Sequence, residues 1–220
     1  MDDLQHNGLV LFQDTEYACF NADALQLFAF LRLTKRDKVV ELGSGTGVIC
    51  VLGSDVTGAA FTGVEIQPHL VALSQKSAET NHQAIRFLCA DVKEAPGLLG
   101  HGAFSAAVMN PPYFSGGKRN DNASYARSRH EAPGALAAFL GAAFRLLNNG
   151  GKLFMIYPAC AACDLLAALR EHRLEPKRLK FVYSKSNRAA IRVLVEAKKL
   201  GGAGVIVEPP AWMQQPDENK

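Results

Sequence analysis

Four short stretches carry residue types that can hold a small, planar, hydrogen-bonding molecule. "VMNPPYFSGG" (108–117) places an asparagine, two prolines and a tyrosine directly after an apolar run. Proline fixes φ and has no N–H, and the residue before it is held extended. Asn110 is therefore presented at a strand end, with its amide and the carbonyl of Pro111 in set directions. "VVELGSGTGVI" (39–49) puts Gly43, Gly45 and Gly47 between a strand and a helix, with Glu41 on the strand. Glycines there let a ligand approach the backbone, and a helix N-terminus favours negative charge. Alone, such a run is equally a structural turn. Glu65 follows in "TGVEIQ", 18 residues beyond Gly47, where a carboxylate can grip ribose hydroxyls. "CADV" then brings Asp91 and Val92 to a third strand end. The Gly-x-Gly-x-Gly spacing departs from the dinucleotide fingerprint, and no phosphate-loop lysine follows it.

The elements that must position these residues are an alternation of strands and helices. Strands are expected at 38–42, 59–66, 85–90, 103–109 and 151–157, and helices at 46–54, 68–81, 133–148 and 160–172. That order implies βαβ units and a mostly parallel sheet covered on both faces. In such a sheet ligands bind beyond the carboxyl ends of the strands, which is where Gly43–Gly47, Glu65, Asp91 and Asn110 all fall. After residue 174 the pattern alternates in "RLKFVYS" and "AAIRVLVEA", joined by "KSNR", and predicts an antiparallel hairpin. "LVLFQDTEYACF" predicts two short strands before a helix that starts near Asn21. The expected organisation is an N-terminal addition over 1–37, one domain over 38–208 and a mobile tail over 209–220.

Composition narrows the class. With 220 residues, 48% hydrophobic, the chain can bury a substantial core, and no stretch approaches a membrane span. The polar "MDDLQHNG" start is unlike a secretory signal. Five irregularly spaced cysteines argue for a reducing cytoplasm rather than a disulfide framework. Residues 1–110 carry 7 Lys+Arg against 12 Asp+Glu, and residues 111–220 carry 17 against 9. A half with a net charge of +8 suits a polyanionic partner, although an ordinary solvated surface explains the charge as well.

In this order, "VELGSGTG", "GVEI", "ADV" and "NPPY" resemble the class I S-adenosylmethionine-dependent methyltransferases. The resemblance implies a Rossmann-like α/β fold. Its sheet would have seven strands, mostly parallel, ending in an antiparallel hairpin and carrying helices on both faces. It implies S-adenosylmethionine as cofactor and S-adenosylhomocysteine as product. Glu41 and the glycine loop would lie at the methionine part, Glu65 and Ile66 at the ribose, and Asp91 and Val92 at the adenine. Asn110, beside the cofactor, would join Pro111, Pro112 and Tyr113 in holding a planar exocyclic nitrogen for methylation. The chemistry is coherent for adenine N6, whose lone pair is delocalised into the ring. Two carbonyl acceptors orient that nitrogen and favour its pyramidal form, while Tyr113 stacks on the base, a contact worth roughly 1–3 kcal/mol.

The same tetrad occurs in enzymes that methylate glutamine amides in proteins. Those carry a longer N-terminal domain, for which the residues before the first core strand are too few. "FNADALQLFAFL" (20–31), the loop 110–131 and "PKRLKFVYSKSNRAAIRVLVEAKKLG" resemble bacterial tRNA adenine-N6-methyltransferases that act beside the anticodon. The resemblance spans roughly residues 9–210 and implies tRNA as the partner, with no obligate protein partner. Lys118, Arg119, Arg127 and Arg129 flank the tetrad and can neutralise phosphates near an extruded base, and His130 is expected either to contact the RNA or to stabilise the loop. Lys177, Arg178, Lys180, Lys185, Arg188 and Arg192 either extend that basic surface or are merely solvated. Cys160 and Cys163 lack the second ligand pair of a zinc site, so no metal is expected and packing is the favoured reading.

Overall fold

The computed structural model describes residues 2–3 (backbone only), 7–14, 22–111 and 134–213. In chain order the elements are β1 (Asp2–Asp3), β2 (Val10–Leu11), α1 (Ala22–Phe30), β3 (Lys38–Leu42), α2 (Val48–Thr57), β4 (Ala60–Glu65), α3 (Pro68–Thr80), β5 (Arg86–Cys89), α4 (Ala95–Leu99) and β6 (Phe104–Met109). From residue 134 onward come α5 (Ala135–Leu146), β7 (Leu147–Pro158), a short 3₁₀ turn, α6 (Ala162–Glu171), β8 (Leu174–Tyr183), β9 (Ala190–Lys199), β10 (Ile206–Val207) and β11 (Ala211–Trp212). The main sheet runs β10-β8-β9-β7-β6-β3-β4-β5, with β11 also on β8. Strands β5, β4, β3, β6 and β7 are parallel, and β9 lies antiparallel between β7 and β8. The seven expected strands are therefore present, with two-residue β10 and β11 added at one edge.

Successive residues of a strand face opposite sides, so the continuous apolar runs demand cover on both. Val40, Leu42, Ala107, Met109, Leu153 and Met155 pack under α5 and α6. Their neighbours Val39, Ala106, Val108, Phe154 and Ile156 pack under α1, α2 and α3. Helix α2 begins after Gly47 and stops at Gly58, both left-handed, while Pro68 opens α3. The strand after α5 starts earlier than expected, at Leu147, because a register irregularity between Phe104 and Ala106 accommodates the "NNGG" segment within β7. Short α4, with Pro96 and Gly97 inside it, was not foreseen.

The N-terminal segment is fastened by side chains. Asn81 accepts from Val10 N–H (2.9 Å) and donates to Val10 C=O (2.7 Å), acting as a one-residue strand partner. Phe12 N–H donates to Ser77 Oγ, and Leu9 and Leu11 enter the core. Of the two short strands expected in this segment, Val10–Leu11 is one, and it pairs with β1. Residues 15–21, where the other was expected, lie outside the described residues. At the opposite edge, residues 209–213, expected within a mobile tail, are laid along β8. Trp212 pairs with Tyr183 in register, and Met213 N–H donates to Tyr183 C=O.

The basic residues of the hairpin are sorted by this edge. Arg178 is buried, donating to Glu196 (2.8 Å), Glu208 (3.0 Å) and the carbonyl of Phe30 (2.8 Å), with its guanidinium 3.8 Å from the Phe30 ring centroid. Lys180 pairs with Glu208, Arg192 with Asp23 of α1, and Lys177 donates to carbonyls of residues 202–204. These four are structural, not a basic surface. No helix among the described residues is long and apolar enough to cross a membrane.

Removing Arg178 strands two largely buried carboxylates and a carbonyl. Arg178→Ala is expected to cost about 3–5 kcal/mol, the usual result of breaking a buried charge pair from one side. Urea unfolding of the variant checks this, and an unchanged midpoint would show that the edge network contributes nothing.

Candidate functional site

Strand register brings the chemistry to one edge. Leu42 lies opposite both Val64 and Met109, and Glu65 lies opposite Cys89. The residues that follow, Gly43, Asp91 and Asn110, thus emerge with Glu65 at the carboxyl end of the sheet. The edge sits where the strand order reverses, with consecutive β4 on one side of β3 and sequence-distant β6 on the other, the usual ligand crevice of an open α/β sheet.

The glycine loop is shaped from below. Gly43 N–H and Ser44 N–H both donate to Val64 C=O, at 2.8 and 3.0 Å. A Cβ on Gly47 would stand 2.8 Å from the Phe87 ring, so that position excludes a side chain by packing as well as by its positive φ of 78°. Gly45 differs. Its φ is 54°, yet a Cβ there would meet nothing within 4 Å. The open side of the loop is therefore at Gly45, and a ligand can lie directly on its backbone.

Glu65 is buried, and each of its carboxylate oxygens already accepts one backbone donor. Gly45 N–H donates to Oε2 and Gln67 N–H to Oε1, both at 3.0 Å. Oε1 also receives Gln67 Nε2 at a long 3.4 Å, so Oε2 is the oxygen that keeps a lone pair open for a ligand hydroxyl. Ser74 Oγ lies 3.0 Å from Gly45 C=O and steadies the loop from α3. Gln67 and Ser74 were not anticipated, since their roles depend on where α3 begins rather than on any motif. Ile66 next to Glu65 is 61% exposed, an apolar surface at the mouth of the site. Asp91 Oδ1 accepts from Lys93 N–H (2.9 Å), and its carbonyl accepts from Glu94 and Ala95 N–H, which fixes the turn holding half-buried Val92.

Asn110 follows fully buried Met109 and precedes buried Pro111. Its Oδ1 is buried and has no hydrogen-bond partner among the described residues. Leaving such an acceptor unmade costs about 1–3 kcal/mol, and native proteins do so seldom. A donor supplied by a ligand satisfies it.

Glu41, expected at the cofactor, is held by the start of α2. Its Oε2 accepts from Cys50 N–H (3.1 Å) and from the Cys50 thiol (2.9 Å) in the first turn of α2. Burial pushes its pKa up to about 8 against the lowering effect of those two bonds, and the charge of Glu65 pushes in the same direction as burial. Pro112, Tyr113, Lys118, Arg119, Arg127, Arg129 and His130 lie outside the described residues. Cys160 and Cys163 are both exposed, so the expectation that they pack fails. Helix α6 turns Leu165 and Leu169 to the core and leaves its start outward. Among the described residues, no three His, Cys, Asp or Glu side chains gather as a metal site.

Comparison with known proteins agrees with this architecture. The family model for the methyltransferase small domain matches residues 22–172. The tRNA1(Val) (adenine(37)-N6)-methyltransferase of Shewanella sediminis is 24% identical over 74% of this chain and 70% of its own length. The enzyme of the same name from Shewanella halifaxensis is 23% identical over 88% and 82%. Among solved structures, a predicted O-methyltransferase from Agrobacterium tumefaciens superposes with a TM-score of 0.71 at 21% identity, covering 90% of each chain. A geranyl diphosphate C-methyltransferase from Streptomyces coelicolor, crystallised with S-adenosyl-L-homocysteine, superposes at 0.58 and 16% identity over 81% of this chain and 77% of its own.

The buried Glu41 makes stability depend on pH. Its pKa of about 8 in the folded chain lies above the ordinary 4.5, so folding takes up a proton between those values. Its contribution is full below pH about 4.5, declines as pH rises and is lost above about 8, a change on the order of a few kcal/mol. Glu41→Gln should flatten that dependence. Urea midpoints at pH 5, 7 and 9 for both proteins measure it, and parallel curves would mean that Glu41 stays ionised.

Proposed function

Because the chain belongs to the methyltransferase small domain family and is an S-adenosylmethionine-dependent methyltransferase, we propose that it methylates N6 of an adenine in tRNA next to the anticodon. The observation that carries this reading is the buried, unpartnered Oδ1 of Asn110 at the end of β6. An amine donor is what that atom lacks, and the strand end places it beside the glycine loop.

The described residues fit the cofactor. Gly45 leaves its backbone open to the methionine part, Glu65 offers a ribose hydroxyl the free position on Oε2 and a second hydroxyl the one held by the long Gln67 amide contact on Oε1, and Ile66 offers an apolar face. Asp91 with Val92 stands at the adenine end. S-adenosylmethionine supplies an electrophilic methyl group on a positively charged sulfur, which leaves as a neutral thioether in S-adenosylhomocysteine. The protein's own part is placement. Asn110 Oδ1 and the Pro111 carbonyl each accept one hydrogen of the N6 amine, turning its lone pair toward the methyl carbon. Those acceptors stand where positive charge develops on nitrogen, so orientation and electrostatics replace a dedicated base. Pro112 and Tyr113 complete the grip on the base. Lys118, Arg119, Arg127, Arg129 and His130 meet the flanking RNA, with the enzyme working in the cytoplasm.

The activity for which the bacterial relatives are named supports tRNA over a protein substrate. Two substitutions separate cofactor from substrate roles. Glu65→Ala should weaken S-adenosylmethionine binding by about 1.5–3 kcal/mol, as expected for lost hydrogen bonds to a charged acceptor. Calorimetry that finds unchanged affinity would reverse the cofactor's orientation. Asn110→Ala should nearly abolish methyl transfer with cofactor affinity little changed and, because a costly unsatisfied acceptor is removed, an unfolding midpoint no lower than wild type. Nucleoside mass spectrometry of bulk tRNA with and without the gene tests the substrate. An unchanged N6-methyladenosine signal sinks the tRNA reading, and label appearing on a protein glutamine would replace it.

A further inference from the structure

The sheet's far edge carries a second feature at the same level as Asn110. Strand β8 is parallel to β7, since both pair antiparallel with β9. Met109 aligns across the sheet with Met155, Val195 and Leu179 in turn. Tyr183 therefore stands three residues beyond the row of Asn110, on a strand three places away. At about 4.8 Å per strand and 3.3 Å per residue, this is roughly 15–20 Å from Asn110, opposite to the cofactor strands β4 and β5.

Three observations converge there. Residues 184–189, the turn between β8 and β9, are all exposed, and they carry Lys185 and Arg188. Neither cation pairs with a carboxylate among the described residues, unlike Arg178, Lys180 and Arg192 on the strands below. Beside the turn, Trp212 is held by its backbone yet is 49% exposed as a residue. It pairs in register with Tyr183, its carbonyl accepts from Gln26 Nε2 at 2.9 Å, and the Tyr183 ring backs its indole at 5.6 Å. A register shift between Val182 and Tyr183 leaves Ile191 unpaired, and such bulges turn a strand end in a set direction.

A half-exposed, rigidly mounted tryptophan beside two unpaired cations has the makeup of a single-stranded nucleic-acid contact: an aromatic face for a base and positive charge for its phosphates. We infer that Trp212, backed by Tyr183, stacks an unpaired nucleobase flanking the target adenine, with Lys185 and Arg188 on the adjoining phosphates. This rests on the tRNA reading above and deepens it. The contact engages loop nucleotides on the substrate side and leaves cofactor binding alone.

The test uses the full chain, an unmodified tRNA transcript as probe, and the variants Trp212→Ala, Trp212→Phe and Lys185→Ala/Arg188→Ala. Trp212→Ala should raise the Kd and KM for tRNA about tenfold or more, as loss of one stacked base does, with kcat and S-adenosylmethionine affinity little changed. Trp212→Phe should recover most of the loss, which a merely structural role for the indole would not require. The double variant should flatten the log–log salt dependence of binding by about 1.4, at roughly 0.7 per single-strand phosphate contact. If wild type binds tRNA while all three variants match it in Kd and slope, this contact is wrong and the substrate reading survives. If the variants lose RNA binding but wild type transfers no methyl to adenine N6, the contact stands and the substrate reading falls. Wild-type protein that binds no RNA overturns both, and variants impaired only toward a protein glutamine assign the surface to a protein instead.

Discussion

Two backbone N–H groups, those of Gly45 and Gln67, hold the Glu65 carboxylate, and the site is organised around that arrangement. The carboxylate joins three elements: the end of β4, the glycine loop after β3 and the turn opening α3. A buried negative charge is tolerable there because hydrogen bonds replace part of its lost hydration. The same bonds set the loop's height above the sheet, and Phe87 filling the space below Gly47 and Gly63 keeps it from sinking. Glu41 takes the opposite solution. Burial raises its pKa to about 8, and neutrality near pH 7 spares the loop a second charge on the neighbouring strand.

Part of the chain's charge asymmetry has a structural use. Much of the basic excess on β8 and β9 is consumed internally, where Arg178, Lys180 and Arg192 bind Glu196, Glu208 and Asp23. Those pairs fasten α1 and the 200–213 segment to the sheet edge. Cations left over after this accounting include Lys185 and Arg188 at the β8–β9 turn and exposed Lys198 at the other end of β9. Net charge alone could not separate the two groups, because a fastening arginine and a solvated one look identical in composition.

What was legible in the sequence follows from range. Parallel core strands announce themselves as short apolar runs, because both faces of each must be covered. Glu65, Asp91 and Asn110 could be placed at one edge because each ends such a run. The partners of Arg178 could not: Glu208 is 30 residues away and the Phe30 carbonyl 148. Asn81 standing in for a strand, 71 residues from Val10, is likewise invisible to local pattern. Trp212 sits in a polar, proline-containing stretch that reads as a tail, and only its register with Tyr183 makes it a strand. The outward cysteines of 160–163 show the converse limit. An alanine- and leucine-rich helix implies a buried stripe, but its phase is set by Leu165 and Leu169, which the core selects.

The placement of β9 also governs how the chain can be assembled. Strand β7 is complete by residue 158, yet its free edge is covered only by residues 192–198, and β8 has no place until β9 is there to receive it. During synthesis the growing sheet therefore presents an open edge carrying Phe154 and Ile156 for some forty residues of elongation. Neighbouring strands made one after another usually close locally; here the later-made strand must slot inside the earlier one. That ordering raises contact order and prolongs exposure of a strand edge, the conditions under which chains pair with one another instead. A message truncated just before β9 would thus yield more than an inactive fragment: it would release a nearly finished sheet with an adhesive side.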